Sequence, residues 1–166
     1  MSAVETESVW DYPRPPRVDV SSEHVVVTHG GLVVADTTAS LRVLETSHPP
    51  TYYLPAADFA EGVLRPGQGA SWCEWKGQAA YYDLVVGDEV LPAVAWTYPT
   101  PSTGFETLVD HVALYPGRVE RCTVDDEVVR PQPGSFYGGW ITSRVTGPFK
   151  GAPGSSGWIS PRPGRS

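Results

Sequence analysis

Two triplets hold both lysines of this 166-residue chain: Trp75-Lys76-Gly77 and Phe149-Lys150-Gly151. The other ten basic side chains are arginine, so an ammonium stands at two places in a chain that otherwise uses guanidinium. An ammonium is a compact donor whose pKa falls on burial. It can act as an acid, a Schiff-base former or an anion clamp, roles that the planar, always-charged guanidinium fills poorly. The glycine that follows lets a ligand or another strand come close to the backbone. The plainer reading is a strand-end lysine that lays its stem on apolar surface and keeps its head in water, and it weighs more for Lys150.

Other residues gather around this pattern. Cys73 stands three positions before Lys76. On a bent strand the two reach one pocket, where the ammonium favours a nucleophilic thiolate; on a regular strand they point to opposite faces and Cys73 is packing. Cys122 alternates with Val124 and reads as core. Glu45 closes an apolar run, either as a solvated strand end or as a carboxylate that pairs with Lys76 or orients a substrate. Tyr53 and Tyr98, each within two residues of a proline, are expected at a pocket rim, and Trp96 in the core. His48 precedes two prolines without a serine-nucleophile motif, so polar surface is expected there. Two cysteines cannot build a four-cysteine zinc site, and no histidine has ligand spacing to either, so no metal and no cofactor is expected.

The elements that must position these residues are β-strands. Seventeen glycines, seventeen prolines and a charged fraction of 19% describe a chain cut by many turns. Residues 1–8 are expected to be disordered, 9–23 to form an extended proline-rich arm, 24–130 a β domain, and 131–166 an irregular aromatic, glycine- and proline-rich wrap. Within the domain, "HVVVTHGGLVVAD" predicts strands at 24–29 and 32–35 joined by Gly30-Gly31. "SLRVLE" leans to strand, "AADFAEGVL" predicts one short helix ending near Gly62, and "RPGQGAS" a surface loop. Gly87-Asp88-Glu89 turns a further hairpin, and "HVALYP", "RVERCTV" and "EVVR" follow, with Asp125-Asp126 at a turn.

Nineteen acidic against twelve basic side chains give a net charge of −7, which opposes the counterion release that drives nucleic-acid binding. A nucleic-acid partner is not expected. No run of about 18 apolar residues is present, so no membrane partner is expected, and the opening residues carry no apolar signal core, so the expected location is the cytoplasm.

The blocks "VVADTTASLRVLETSHPPTYYLP", "CEWKGQAAYYDL", "AWTYPTP" and "HVALYPGRV", in that order over about residues 24–121, resemble the domain of unknown function 427 family. The flanking "WDYPRPPR" and "FYGGWITSRVTGPFKG" look like extensions of an actinobacterial branch. The resemblance implies a small, mainly β, single-domain antiparallel barrel or β-tent-like fold with at most one or two short helices. It also places Arg42 with Glu45 and Tyr53 in one block of matching polar residues. β-tent relatives carry CxxC zinc knuckles, which this chain lacks, so their metal is not carried over. A nucleotidyltransferase-like label attached to the family finds no support in these residues, because the nearest acidic pair, Asp125-Asp126, sits in a turn.

The expectation is a β domain that binds a small polar or anionic molecule through Arg42, Glu45, Tyr53, Lys76 and Tyr98. Two alternatives stand beside it. One is a small-metabolite enzyme using Lys76 with Cys73 or Glu45. The other is an assembly component, with a homo-oligomer formed through the arm and tail.

Overall fold

The computed structural model describes residues 6–73, 75–133 and 138–151. In chain order its strands are β1 (Glu7–Ser8), β2 (Arg17–Val20), β3 (Val25–His29), β4 (Leu32–Thr37), β5 (Leu41–Leu44), β6 (Thr51–Pro55), β7 (Leu64–Cys73) and β8 (Gly77–Val86). Then come β9 (Glu89–Thr97), β10 (His111–Leu114), β11 (Arg121–Val124), β12 (Glu127–Val128), β13 (Arg130–Pro131), β14 (Trp140–Ile141) and β15 (Val145–Thr146). Single 3-10 turns are the helical elements among the described residues, so none is long and apolar enough to cross a membrane.

Seven strands form one antiparallel sheet in the order β2-β5-β6-β10-β9-β8-β7, and β12-β11-β3-β4 form a second. Val25 and Val27 of β3, Val34 of β4 and Val124 of β11 pack against Leu54, Leu84 and Leu114 of the large sheet. The two layers enclose the main core. Among the described residues neither sheet closes on itself, so the mainly β, antiparallel expectation holds in its open form and no barrel is found.

Alternation along each strand gives the large sheet a second apolar face. Leu41 pairs with Tyr53 and Arg42 with Tyr52, and neighbouring strand residues point to opposite sides. Tyr52 therefore enters the sandwich, while Tyr53 joins Leu41, Val43, Ala79, Tyr98 and Leu108 on the outer face.

The predicted turns are present. Gly30 and Gly31, at φ 60° and 76°, join β3 to β4, and Asp125 and Asp126, at 48° and 70°, join β11 to β12. Two local expectations are corrected. The short helix predicted in "AADFAEGVL" is one 3-10 turn, Ala56–Asp58, because the chain then bonds to β4: Phe59 bridges Ala35, and the Ala60 amide donates to the Val34 carbonyl at 2.8 Å. The loop predicted at "RPGQGAS" lies within edge strand β7, where a register shift between Pro66 and Ala70 absorbs the proline and glycines.

The described arm and tail segments are structured by pairing. Arm residues form edge strand β2 on β5, and Glu7–Ser8, from the segment expected to be disordered, pairs in parallel with β15. Residues 1–5 and the tail segments 134–137 and 152–166 lie outside the described residues.

Candidate functional site

The β7–β8 hairpin resolves whether Cys73 and Lys76 share a face. Cys73 pairs with Gly77, so Trp75 and Lys76 lie in the turn between the two strands rather than in a continuing strand. That loop folds over the outer face, where Cys73 and Trp75 pack with Tyr53, Tyr98 and Leu108. Gly77 has φ 106°, and a Cβ there would lie 3.1 Å from Ser102 Oγ. The Ser102 amide donates to the Lys76 carbonyl at 2.9 Å. The close approach that this glycine permits is thus made by the chain itself, not by a ligand. Gly151 shares the left-handed geometry at φ 98°, so the repeated aromatic-Lys-Gly triplet is a repeated turn.

Lys76 stands where two contiguous pockets meet. The larger, about 300 Å³, is walled by Tyr81, Trp96, Tyr98 and Tyr115. The smaller, about 150 Å³, is walled by Val43, Glu45, His48, Pro49 and Gln132. Thr51, Tyr53, Lys76 and Gly138 border both.

In the larger compartment Lys76 Nζ lies 5.8 Å from the centroid of the Tyr98 ring, within cation–π range. Tyr53 meets Trp96 edge to face with centroids 6.4 Å apart, and Trp96 Nε1 donates to the Tyr53 hydroxyl oxygen at 3.1 Å. Trp96 and Tyr115 rings lie 4.7 Å apart. Burial raises the Tyr53 pKa against the opposing pull of Lys76, Trp96 and Tyr98, and burial raises Tyr98, reinforced by Tyr53 and Cys73. Both phenols are therefore neutral at pH 7. Burial alone would lower the Lys76 pKa, but its interactions with Tyr53, Cys73 and Glu45 and a hydrogen bond with Cys73 outweigh it, and the value is raised. A Schiff-base lysine must give up its proton, and this one holds it.

The smaller compartment is organised by Gln132, whose amide is oriented from both ends. Its Oε1 accepts from the Gly139 amide at 3.1 Å, and its Nε2 donates to the Lys150 carbonyl at 2.7 Å. That same Nε2 faces His48 Nδ1 at 3.1 Å, so Nδ1 must accept and the imidazole carries its hydrogen on Nε2. Burial depresses the His48 pKa; Glu45 opposes this, while Arg14, Lys150 and Lys76 add to it. His48 is thus a half-buried neutral imidazole at the cleft, where polar surface was expected. Glu45 is paired with Arg14, at 3.5 Å, rather than with Lys76. Arg14 Nε and Nη1 are buried without hydrogen-bond partners among the described residues.

Of the residues singled out in the sequence, Glu45, Tyr53, Lys76 and Tyr98 line this cleft, and Cys73 packs at its edge. Lys150 contributes through its field on His48 and its backbone: its amide donates to the Ser47 carbonyl at 2.8 Å. Arg42 does not join them, because strand alternation turns it into the sandwich. There it pairs with Glu7 at 3.0 Å, sits 5.7 Å from the Tyr52 ring centroid, and is 2% exposed. Trp96, expected in the core, is half-buried and lines the larger compartment. Its period-2 spacing from Tyr98 was the available signal. Gln132, Tyr81 and Tyr115 carried no such sign. Cys122 is core as expected, and burial raises its thiol pKa.

These features define a mainly β protein built on two principal packed sheets, whose large sheet carries an aromatic and cationic cleft on its outer face. The family model described as a domain of unknown function, number 427, matches residues 17–125, and the chain belongs to that family. No curated protein matches the chain.

Proposed function

We propose that the outer-face cleft binds a small polar or anionic molecule, with Lys76 as the residue that anchors it. One observation carries this reading: a protonated, half-buried lysine at the junction of two pockets, with no carboxylate within ion-pair distance among the described residues. Among the described residues, Arg14 and Lys150 add positive charge on the His48 side, against one carboxylate, Glu45. A surplus of cations is maintained there in a chain of net charge −7. Such a surplus is costly unless an anion completes it.

The test is ligand-dependent unfolding of the full chain against small carboxylates, inorganic phosphate and sulfate. A compound at 100 times its Kd adds about 2.7 kcal/mol of stability. Lys76→Met is expected to abolish that gain and Lys76→Arg to weaken it. A gain that survives unchanged in Lys76→Met, for every stabilising compound, removes Lys76 from the site.

A second reading, a small-metabolite enzyme, is favoured by the interactions of Cys73 with both Lys76 and Tyr98. In it the Cys73 thiolate is the nucleophile and Lys76 its electrostatic support. It requires rapid alkylation of Cys73 at neutral pH in the folded protein, slowed by Lys76→Met. Labelling no faster than global unfolding rules out the nucleophile.

A further inference from the structure

The two compartments differ in chemistry, and that difference narrows the ligand class. We infer that the cleft takes an aromatic anion: a planar ring lying against the neighbouring Trp96 and Tyr81 side chains, joined directly to a compact anionic group that reaches Lys76. This rests on the proposed binding role of the cleft and specifies its ligand.

The larger compartment is walled by five aromatic side chains, Tyr53, Tyr81, Trp96, Tyr98 and Tyr115, and its volume of about 300 Å³ is the first argument. A dry apolar cavity of about 150 Å³ is enough to hold benzene. Twice that volume accommodates a fused bicycle, and the ring faces supply offset stacking. The donor set is the second argument. The Tyr53 oxygen already accepts from Trp96 Nε1, which leaves its own hydrogen as a donor, and the Lys76 ammonium beside it has donors only. What meets these groups must accept hydrogen bonds and carry negative charge. The third argument is exclusion. A ring of aromatic faces could also cage an organic cation, but an ammonium of this chain already occupies the Tyr98 face at 5.8 Å, and a second cation would be repelled. Neutral sugars stack on indoles as well, yet they leave Lys76 without a counter-charge.

Carboxylate and phosphate share the required chemistry, and the probes separate them. The full chain is titrated with 1-naphthoate, 1-naphthyl phosphate, acetate, inorganic phosphate, 1-naphthol and glucose, and followed by tryptophan fluorescence and calorimetry. The ring-bearing anions are expected to bind at least about tenfold tighter than acetate, inorganic phosphate or naphthol. The tighter of the two naphthyl compounds identifies the anionic group. Trp96→Leu is expected to erase the advantage of the ring while weak binding of the bare anions persists. Tyr81→Leu, at the cross-strand neighbour of Trp96 on the same wall, serves the same purpose if Trp96→Leu does not fold. Lys76→Met is expected to bring naphthoate down to the affinity of naphthol.

Acetate or inorganic phosphate binding as tightly as its naphthyl counterpart overturns the aromatic ligand class and leaves the anion-binding role standing. Naphthol equal to naphthoate, with no effect of Lys76→Met, overturns both, as does failure of every probe to bind. Glucose binding tighter than the aromatic anions overturns the ligand class and assigns the aromatic wall to sugar stacking.

Discussion

The large sheet carries a charged cluster on each side, and the two are built to opposite ends. On the inner side Arg42 and Arg144 meet Glu7 and Glu23. Arg42 pairs with Glu7 at 3.0 Å, and Arg144 pairs with Glu7 at 3.1 Å and with Glu23 at 3.0 Å. Tyr12 donates to Glu7 at 2.6 Å and Tyr52 to Glu23 at 2.8 Å. Positive and negative charge balance there, and the ions tie β1, β5 and the segment before β15 together. On the outer side, among the described residues, Arg14, Lys76 and Lys150 act around one carboxylate, Glu45, and an open pocket lies between Glu45 and Lys76. Similar residues thus do different work: a balanced cluster holds the chain ends, and an unbalanced one awaits a partner.

Removing Arg42 is the strongest way to test the first half of this contrast. Arg42→Met keeps the methylene stem but leaves Glu7 and Glu23 to Arg144 alone, and Glu23 is only 11% exposed. Stranding a buried carboxylate costs about 3–5 kcal/mol, and the partial exposure of Glu7 places this substitution toward the lower figure. Urea unfolding measures it. A loss under about 1 kcal/mol would mean that the inner cluster does not hold the chain ends.

The outer cleft depends instead on a close backbone pass. A Cβ on Gly139 would lie 2.5 Å from Gln132 Oε1 and 2.8 Å from the Pro49 carbonyl oxygen, and one on Gly138 would lie 2.5 Å from the Trp96 ring. Gly139→Ala is expected to cost about 1–3 kcal/mol, as overpacking does, and to release the Gln132 amide that sets the His48 tautomer. Gly138→Ala should shift the tryptophan emission by displacing Trp96. If both alanines are silent, the tail does not frame the cleft.

The strands were legible because their signals are local. The β-branched runs around Gly30-Gly31 and the turn at Asp125-Asp126 need only neighbouring residues to be read. Edge strand β7 was not, because its pairing with β8 overrides the proline and glycines of "RPGQGAS" through a register shift. At the site, Lys76 stood out through its residue type, and Tyr53 and Tyr98 through their prolines. His48 and Gln132 could not be read as partners, since 84 residues separate them and only the return of the tail joins them. Arg42 illustrates the reverse error. The family resemblance grouped it with Glu45 and Tyr53, while alternation along β5 turns Arg42 to the inner face of the sheet.

The clusters also separate on the pH axis. The His48 pKa is depressed, so the unfolded chain binds its proton more readily, and stability falls as pH drops below about 6.5. For Glu7, burial pushes the pKa up, but hydrogen bonds from Arg42 and Tyr12 and the charges of Arg42 and Arg144 overcome this and lower it. Its contribution is complete above the ordinary carboxylate range and is lost as pH falls through that range toward the depressed folded value. Unfolding midpoints measured from pH 8 to pH 3 should therefore show two steps of acid loss. His48→Asn should remove the upper one and leave the lower. A single step unaffected by His48→Asn would contradict the neutral imidazole at the cleft.

The smallest expected effect is the most telling for the contrast. Lys76→Met preserves the stem that packs beside Tyr98, removes a partly desolvated ammonium, and strands no carboxylate among the described residues, because Glu45 retains Arg14 at 3.5 Å. Without ligand, stability should change by less than about 1 kcal/mol, and relief of the crowding of like charges around His48 favours a gain. Arg42→Met and Lys76→Met each exchange one cation for the same thioether, so the difference between their unfolding free energies measures what each cation does when the protein is empty. Equal losses would mean that Lys76 is a structural ion like Arg42, and the cleft would then have no surplus charge to offer a ligand.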